Sequence, residues 1–167
     1  MNSFAFEITK NFVLIFQTSF PDFRHEFKNS IKCNEGIGIT VDLNEGMKLV
    51  SDPDQIKQVL WNILLNAAEA MPKGGLINIY AGIEQINPDI FMPGKDMVRI
   101  VIRDSGEGFS DDSLSSIFTP FFTTKDGGSG LGLATVNRII EGLKGRASGR
   151  NHPDGGAEIT ILLPKEP

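Results

Sequence analysis

The sequence predicts an α+β domain, a two-layer sandwich in which about three helices cover one face of a mixed, mostly antiparallel sheet. Three observations favour this fold class. Several segments alternate apolar and polar side chains as strands do, and others carry apolar residues at helical spacing. A long glycine-rich stretch, residues 108–130, precedes the last predicted helix, and we expect it to be mostly irregular and to contain a mobile lid over 117–125.

Composition limits the class of protein further. The 167 residues are 40% hydrophobic, which is enough for one domain with its own core. No apolar run approaches the ~18 residues of a membrane span, no secretory signal is visible, and the single cysteine, Cys33, suits a reducing compartment. We therefore expect a cytoplasmic domain without membrane contact. The net charge of −5 argues against nucleic-acid binding, so an anionic ligand would need local donors and a divalent cation.

The first third of the chain contains short predicted elements. An edge strand is predicted over 4–8, and a helix over 9–16 resumes after Pro21 as far as residue 27. The alternating segment Ile37–Leu43 predicts a half-buried strand. We interpret residues 1–167 as a single domain with its core over about 36–164, against which residues 1–35 pack.

The remaining elements follow in order. A helix is predicted over 53–71, because Asp52 can cap it, Pro53 suits its first position and Gln55 completes a capping-box pattern. Glycines at 74–75 end it. Strands follow over 76–84 and 97–104, with a connection that is long for a hairpin. A helix over 131–142 and a hairpin with strands at 145–148 and 157–163, around a turn at 154–156, complete the fold.

The helix predicted over 53–71 is apolar on most sides and carries one narrow polar stripe. The stripe consists of Gln55, Gln58, Asn62, Asn66 and Glu69. Asparagine is a poor helix former, and an amide oxygen is a suitable ligand for the magnesium ion of a nucleotide, which keeps several waters. We therefore expect Asn62 and Asn66 to face a cavity. The alternative is that the stripe is the solvated edge of the helix.

Asp104 ends the strand predicted over 97–104 in phase with its apolar residues, so its carboxylate points toward the core side. A buried charge needs a strong donor, and the exocyclic amine of adenine would serve. Gly106 and Gly108 would let the backbone approach a flat base. The alternative is an Asx-turn, in which Asp104 bonds the backbone of its own glycine turn.

Glycines 127, 128 and 130 lead into the helix predicted over 131–142. Free amides at a helix start bind phosphate, although neither a Walker loop nor a dinucleotide fingerprint is present. A plain flexible linker is the alternative. Before the glycines, Phe118, Phe121 and Phe122 predict a lid whose aromatics dock on a surface, or else a satellite hydrophobic cluster. Lys125 could reach terminal phosphates as a point charge.

These motifs resemble the ATP-binding catalytic domain of sensor histidine kinases in two-component systems. Four boxes appear in the order of that family and lie within roughly residues 51–163. They are Asn62-x-x-x-Asn66, Asp104-Ser-Gly-Glu-Gly108, Phe118-x-Pro-Phe-Phe122 and Gly128-x-Gly-Leu-Gly-Leu133. The resemblance implies the fold shared by DNA gyrase, the heat-shock chaperone ATPases and the mismatch-repair ATPases.

The resemblance also implies roles for residues. Asp104 would bind the adenine of ATP, Asn66 would hold Mg²⁺ with Asn62 beside it, and Asn62, Asn66 and Lys125 would serve phosphoryl transfer. The further nucleotide contacts that we expect are Gly106, Gly108, Phe118, Thr124, Lys125, Gly128, Gly130, Leu131 and Gly132. The implied partners are ATP and ADP, a dimerisation hairpin that carries the phosphoacceptor histidine and receives the lid, and indirectly a response regulator. We expect that hairpin to lie outside this chain.

One position separates phosphoryl transfer from hydrolysis. In the gyrase, chaperone and anti-sigma-factor relatives, the residue one turn before the magnesium asparagine is a glutamate that acts as a base, whereas here it is Asn62. An amide does not accept a proton usefully, and an attacking imidazole needs no such base. Kinase activity is therefore favoured over the two alternatives, which are a slow ATPase and a non-catalytic nucleotide-sensing module.

His25 lies in a stretch, Phe23-Arg-His-Glu-Phe-Lys-Asn29, that resembles a phosphoacceptor box. The strand predicted from residue 37 leaves no room for a second hairpin helix at 1.5 Å per residue. We therefore expect that His25 is not the acceptor, and that this chain alone binds Mg-ATP without phosphorylating itself.

Overall fold

A computed structural model describes residues 36–43, 49, 51–85, 96–125 and 127–165. The elements predicted before residue 36, His25, Cys33 and the connection at 86–95 lie outside the described residues. The described residues form five strands and two helices. These are β1 (Ile37–Leu43), α1 (Pro53–Glu69), β2 (Gly75–Gln85), β3 (Asp96–Asp104), α2 (Gly132–Gly142), β4 (Arg146–Asn151) and β5 (Ala157–Pro164).

The strands form one mixed sheet in the order β1-β2-β3-β5-β4. β1 runs parallel to β2, which is possible because α1 provides the crossover between them, and the other three pairs are antiparallel. α1 contacts β3, α2 contacts β4, and the helices contact each other. This confirms the predicted two-layer α+β fold. Two of the about three predicted helices lie in the described ranges, and the third, predicted over 9–16, lies outside them.

The core lies between the helices and one face of the sheet. Alternate residues of β2, β3 and β5 point into it, as the period of a strand requires. Leu60 and Leu64 of α1 and Ile140 of α2 are almost fully buried against them. The buried isoleucines of the sheet in this core are Ile77, Ile79, Ile100, Ile102, Ile159 and Ile161. Each such side chain contributes roughly 1.5–3 kcal/mol on burial, so this face sets the position of both helices.

Two predicted boundaries were wrong by two residues or more. α1 ends at Glu69 rather than 71, and the Ala70 N–H bonds the Asn66 carbonyl while the Met71 N–H bonds that of Ala68. β4 continues to Asn151 rather than ending at 148. Gly149 lies beyond the predicted end, and it is a packing residue in the strand, because a Cβ there would overlap the Ile117 side chain. The Asp52 cap of α1 is confirmed by the bond from the Asp54 N–H to its carboxylate, 2.9 Å.

The stretch between β3 and α2 forms turns rather than a helix or strand, as predicted. Hydrogen bonds of the turn type link its backbone, for example from the Ser113 N–H to the Ser110 carbonyl. Within the part of the chain that the structure describes, no helix is both long and apolar enough to cross a membrane.

Candidate nucleotide-binding site

A cleft of about 920 Å³ opens between α1, the segment that follows β3 and the segment that leads into α2. This volume lies in the range of small-molecule sites. We call residues 104–109 the strand side of the cleft and residues 121–131 the lid side. α1 forms the floor between them, and it contributes Gln58, Asn62, Asn66 and Glu69 of the predicted polar stripe. The stripe, apart from Gln55, therefore faces a cavity.

Asn66 lies where the floor meets the start of α2. A Cβ built on Gly132 would lie 3.4 Å from Asn66 Nδ2, so the first turn of α2 is seated next to this amide. α1 and α2 contact each other, and apolar residues of both helices are buried in the same core. This packing brings the first turn of α2 next to Asn66. Asn62, one turn earlier, also lines the cleft.

Asp104 ends β3 on the strand side and is only 7% exposed. Its Oδ1 accepts hydrogen bonds from the Gly106 N–H at 2.8 Å and from the Ala157 N–H at 3.2 Å. The Asx-turn that was the alternative interpretation is therefore present. It uses one carboxylate oxygen, and Oδ2 has no hydrogen-bond partner in the described ranges. Because Asp104 also lines the cleft, that oxygen can accept a donor from a ligand.

The glycines of the strand side are explained by close packing. A Cβ on Gly106 would lie 2.8 Å from the Ala70 carbonyl oxygen, at the end of α1. Gly108 has φ +77°, in the left-handed region that favours glycine. Gly156, at φ +82°, lies so close to Asp104 that a Cβ there would overlap its carbonyl oxygen. These glycines hold Asp104 between α1 and β5.

The three lid phenylalanines have three different environments. Phe118 packs against the core, Phe122 lines the cleft, and Phe121 is 76% exposed. Phe121 also has φ +66°, which is strained for an aromatic residue. Its N–H donates to the Gly130 carbonyl at 3.0 Å and closes the lid loop at its base. The prediction of one aromatic docking group is therefore replaced by three separate positions.

Lys125 extends from the lid to the floor. Its ammonium lies 2.6 Å from Glu69 Oε2 and 3.4 Å from both the carbonyl oxygen and Oδ1 of Asn66. The Lys125 and Glu69 side chains remain 40% and 47% exposed. An exposed pair of this kind contributes at most about 1 kcal/mol, so it can be exchanged for another partner.

The start of α2 supplies backbone donors. Leu131 at the N-cap makes no side-chain capping bond, so the first amides of the helix remain available on the cleft side. Gly130, at φ +64°, and Gly132 bring the chain into this turn. An uncapped helix start favours an anion through its amides and its dipole.

The residues of the floor fit a magnesium ion that arrives with a nucleotide. Asn66 Oδ1 already accepts from a cationic group, the Lys125 ammonium, and an amide oxygen is a suitable ligand for magnesium. The described residues contain no group of three or more His, Cys, Asp or Glu side chains that would hold a metal alone. Magnesium bound to phosphates and water needs few protein ligands, so this donor set is sufficient.

Most of the predicted site residues lie together in the cleft. Those that line it are Asn62, Asn66, Asp104, Gly108, Thr124, Lys125, Gly128, Gly130, Leu131 and Gly132. Phe118 and Gly106 do not, because Phe118 packs into the core and Gly106 lies against Ala70. The prediction omitted Phe109, Phe122 and Ile159 from the lining. Phe122 belongs to the motif Phe118-x-Pro-Phe-Phe122. No local pattern marks Ile159, which lies at the cleft because of its pairing with Ile102 in the sheet.

Comparison with known proteins places this geometry in a family. A family profile described as "Histidine kinase-, DNA gyrase B-, and HSP90-like ATPase" matches residues 51–167. The chain belongs to this family. Within it, the resemblance to catalytic ATP-binding domains of sensor histidine kinases is confirmed by both relatives and solved structures.

Among the relatives, sensor histidine kinase ZraS of Salmonella typhimurium is 43% identical over 122 residues, which cover 72% of this chain and 24% of that kinase. Sporulation kinase A of Bacillus subtilis is 36% identical over 69% of this chain and 17% of its own length. The chain thus spans about a quarter or less of these two relatives. A solved catalytic domain of histidine kinase ThkA aligns over 100% of both chains with a TM-score of 0.73 and 28% identity.

Proposed function

We propose that this chain binds Mg-ATP in the cleft and donates the γ-phosphoryl group to a histidine on a separate helical hairpin, in two-component signalling. One observation carries the proposal: a single cleft joins a buried carboxylate with a free oxygen, Asp104, to a floor amide, Asn66, and an uncapped helix start. These groups complement the base, the metal and the phosphates of one nucleotide.

The Asp104 carboxylate accepts the exocyclic amine of adenine through Oδ2, while Oδ1 remains bonded to two backbone amides. Asn66 provides an oxygen ligand to magnesium, with Asn62 beside it. Lys125, Thr124 and the first amides of α2 bind the phosphates. Magnesium neutralises charge on the phosphates when it is bound, and the chain orients them for transfer. The hairpin, the response regulator and a cytoplasmic location belong to this proposal.

Slow hydrolysis of ATP is the competing activity, and Glu69 is the residue that favours it. Its carboxylate lies beside Asn66 on the same helix, so it is near the expected metal. It is engaged by Lys125 at 2.6 Å, so it would have to leave this ion pair to position a water molecule. Asn62, in the position one turn before Asn66, is an amide and has no basic oxygen to offer.

The test is calorimetric titration of the purified chain with ATP, with and without magnesium. We expect saturable binding that magnesium strengthens, and an Asn66→Ala variant in which the magnesium enhancement is lost while binding without magnesium persists. Absence of binding in the unmodified chain would overturn the assignment of the cleft.

A second assay separates kinase from hydrolase. The chain is incubated with labelled ATP and a purified dimerisation hairpin from a sensor kinase. Acid-labile label on the hairpin, with little free phosphate, is the expected result. Steady phosphate release without transfer, surviving in Asn62→Ala, would indicate an ATPase instead.

A further inference from the structure

Asn151, the last residue of β4, makes a pair of side-chain hydrogen bonds with one distant residue. Its Oδ1 accepts from the Phe109 N–H, and its Nδ2 donates to the Phe109 carbonyl, each at 2.7 Å. The side-chain amide thus pairs with a backbone as a residue of an antiparallel strand would. Such double pairing satisfies both backbone groups of Phe109 at once.

The backbone on either side of this pair is seated directly against Asn151. Gly108 has φ +77°, and a Cβ on it would lie 2.7 Å from Asn151 Oδ1. Gly149 faces the Phe109 ring, with a built Cβ 3.6 Å from Phe109 Cε2. Both Gly108 and Phe109 line the cleft, whereas Asn151 does not.

The strand side is bonded to neighbouring elements before and after Gly106. The first attachment comprises the bonds from the Ala157 N–H to Asp104 Oδ1 and from the Ser105 N–H to the Leu76 carbonyl, and the second is the Asn151–Phe109 pair. Glu107, between them, is exposed. Without the second attachment, the segment after Gly106 would have to be ordered by the ligand, and that ordering would reduce the affinity.

We propose that Asn151 is a positioning residue for nucleotide binding, which holds Gly108 and Phe109 in the shape that receives the base. The inference rests on the proposed function, because it assumes that the cleft binds a nucleotide with the base on the strand side. Asn151 acts through Phe109 and contacts no ligand.

Asn151→Ala removes the pair, and Asn137→Ala is the matched control. Asn137 also makes an amide hydrogen bond, to Glu141 Oε1 at 2.8 Å, but neither residue lines the cleft. We expect Asn151→Ala to weaken the binding of ATP and of ADP by the same factor, roughly tenfold for two lost hydrogen bonds. Equal factors are expected because both nucleotides carry the same base. Asn137→Ala should leave both affinities unchanged.

Asn151→Asp tests the pair without changing its size. At neutral pH the carboxylate of Asn151→Asp can still accept from the Phe109 N–H but cannot donate to the Phe109 carbonyl, so we expect its affinities for ATP and for ADP to fall several-fold, by the same factor for both nucleotides.

Three outcomes decide the inference. Affinities within twofold of the unmodified chain, in folded Asn151→Ala, would overturn it, as would a lowered melting temperature with unchanged affinity. If Asn151→Ala does not fold, an affinity of Asn151→Asp within twofold of that of Asn137→Ala would overturn it. Failure of the unmodified chain to bind ATP would count against the proposed function and not against the role of Asn151 alone.

Discussion

The strand side of the cleft is attached to the sheet at several points, whereas the lid side is held by few and exposed contacts. Asp104 and Phe109 are bonded to residues of β5 and β4 that lie far away in sequence. On the lid side, Lys125 reaches α1 through a pair whose two side chains are 40% and 47% exposed. Phe121 there is strained and 76% exposed.

This difference matches the two tasks of a site for nucleoside triphosphates. A flat base has one shape, so a strand side that is already ordered before the ligand arrives binds the base with little entropic cost. Phosphates change in number and charge during transfer, and a lid with exchangeable ion pairs can adapt to both states. This difference predicts that substitutions on the strand side have large effects on stability and on base affinity, and that those on the lid side have small effects that depend on salt.

Gly156→Ala should produce the largest effect. A Cβ at this position would overlap the Asp104 carbonyl oxygen, and φ is +82°. We expect the free energy of unfolding to fall by about 3 kcal/mol or more, measured by chemical denaturation, because backbone on both sides has to shift.

Gly155→Ala provides the control for Gly156→Ala. Its φ is +95°, but nothing lies within 4 Å of a built Cβ. It should therefore show only the conformational cost of a side chain at positive φ, about 1–2 kcal/mol. Equal losses in the two variants would show that close packing on Asp104 does not matter, and the strand side would then be less constrained than the structure indicates.

Asp104→Asn comes next, because it keeps the shape and removes the charge. Its amide oxygen can still accept from Gly106 and Ala157, but the second position becomes a donor that faces the adenine amine. We expect ATP affinity to fall by at least about 2 kcal/mol, measured by calorimetry, since a charge-assisted bond in a buried site is lost.

The control for Asp104→Asn is Asp154→Asn, which changes a side chain that is 79% exposed and pairs with Arg103 on the surface. It should leave ATP affinity within the error of the measurement. Unchanged affinity in Asp104→Asn would mean that the base does not bind at Asp104, and the strand side would lose its assigned task.

Local patterns were sufficient to predict most of this molecule. β1 was predicted at its observed bounds, and the Asp52 cap and the turns after Gly108 were also predicted. Each depends on residues close in sequence. Asn62 and Asn66 were identified because two poor helix formers on one face need a reason, and the structure brings both into the cleft.

The features that were missed depend on contacts between distant residues. Asn151 lies beyond the end predicted for its strand, and its partner lies 42 residues earlier in the chain. Gly149 also lies beyond that predicted end, and its small size is required because a Cβ there would overlap the Ile117 side chain. Phe118 and Phe122 are two phenylalanines of one short motif. Tertiary packing places the first against the core and the second in the lining of the cleft.

Glu69→Gln should have the smallest effect on ATP affinity, and the direction of that change tests whether the contacts of the lid side are exchangeable. The substitution frees the Lys125 ammonium, now 2.6 Å from Glu69, and removes an anion near the expected phosphates. We expect ATP affinity to rise by about 0.5 kcal/mol at low salt, measured by calorimetry, in line with other exposed ion pairs. The gain should diminish at about 1 M salt, where screening is strong.

The Lys125→Ala background tests whether the gain in ATP affinity of Glu69→Gln depends on Lys125. If the freed ammonium binds the phosphates, the gain from Glu69→Gln should be smaller in that background, because only repulsion by the carboxylate remains to be relieved. A loss of ATP affinity in Glu69→Gln would reverse the interpretation. Glu69 would then hold Lys125 in a productive position, and the lid side would be as preorganised as the strand side.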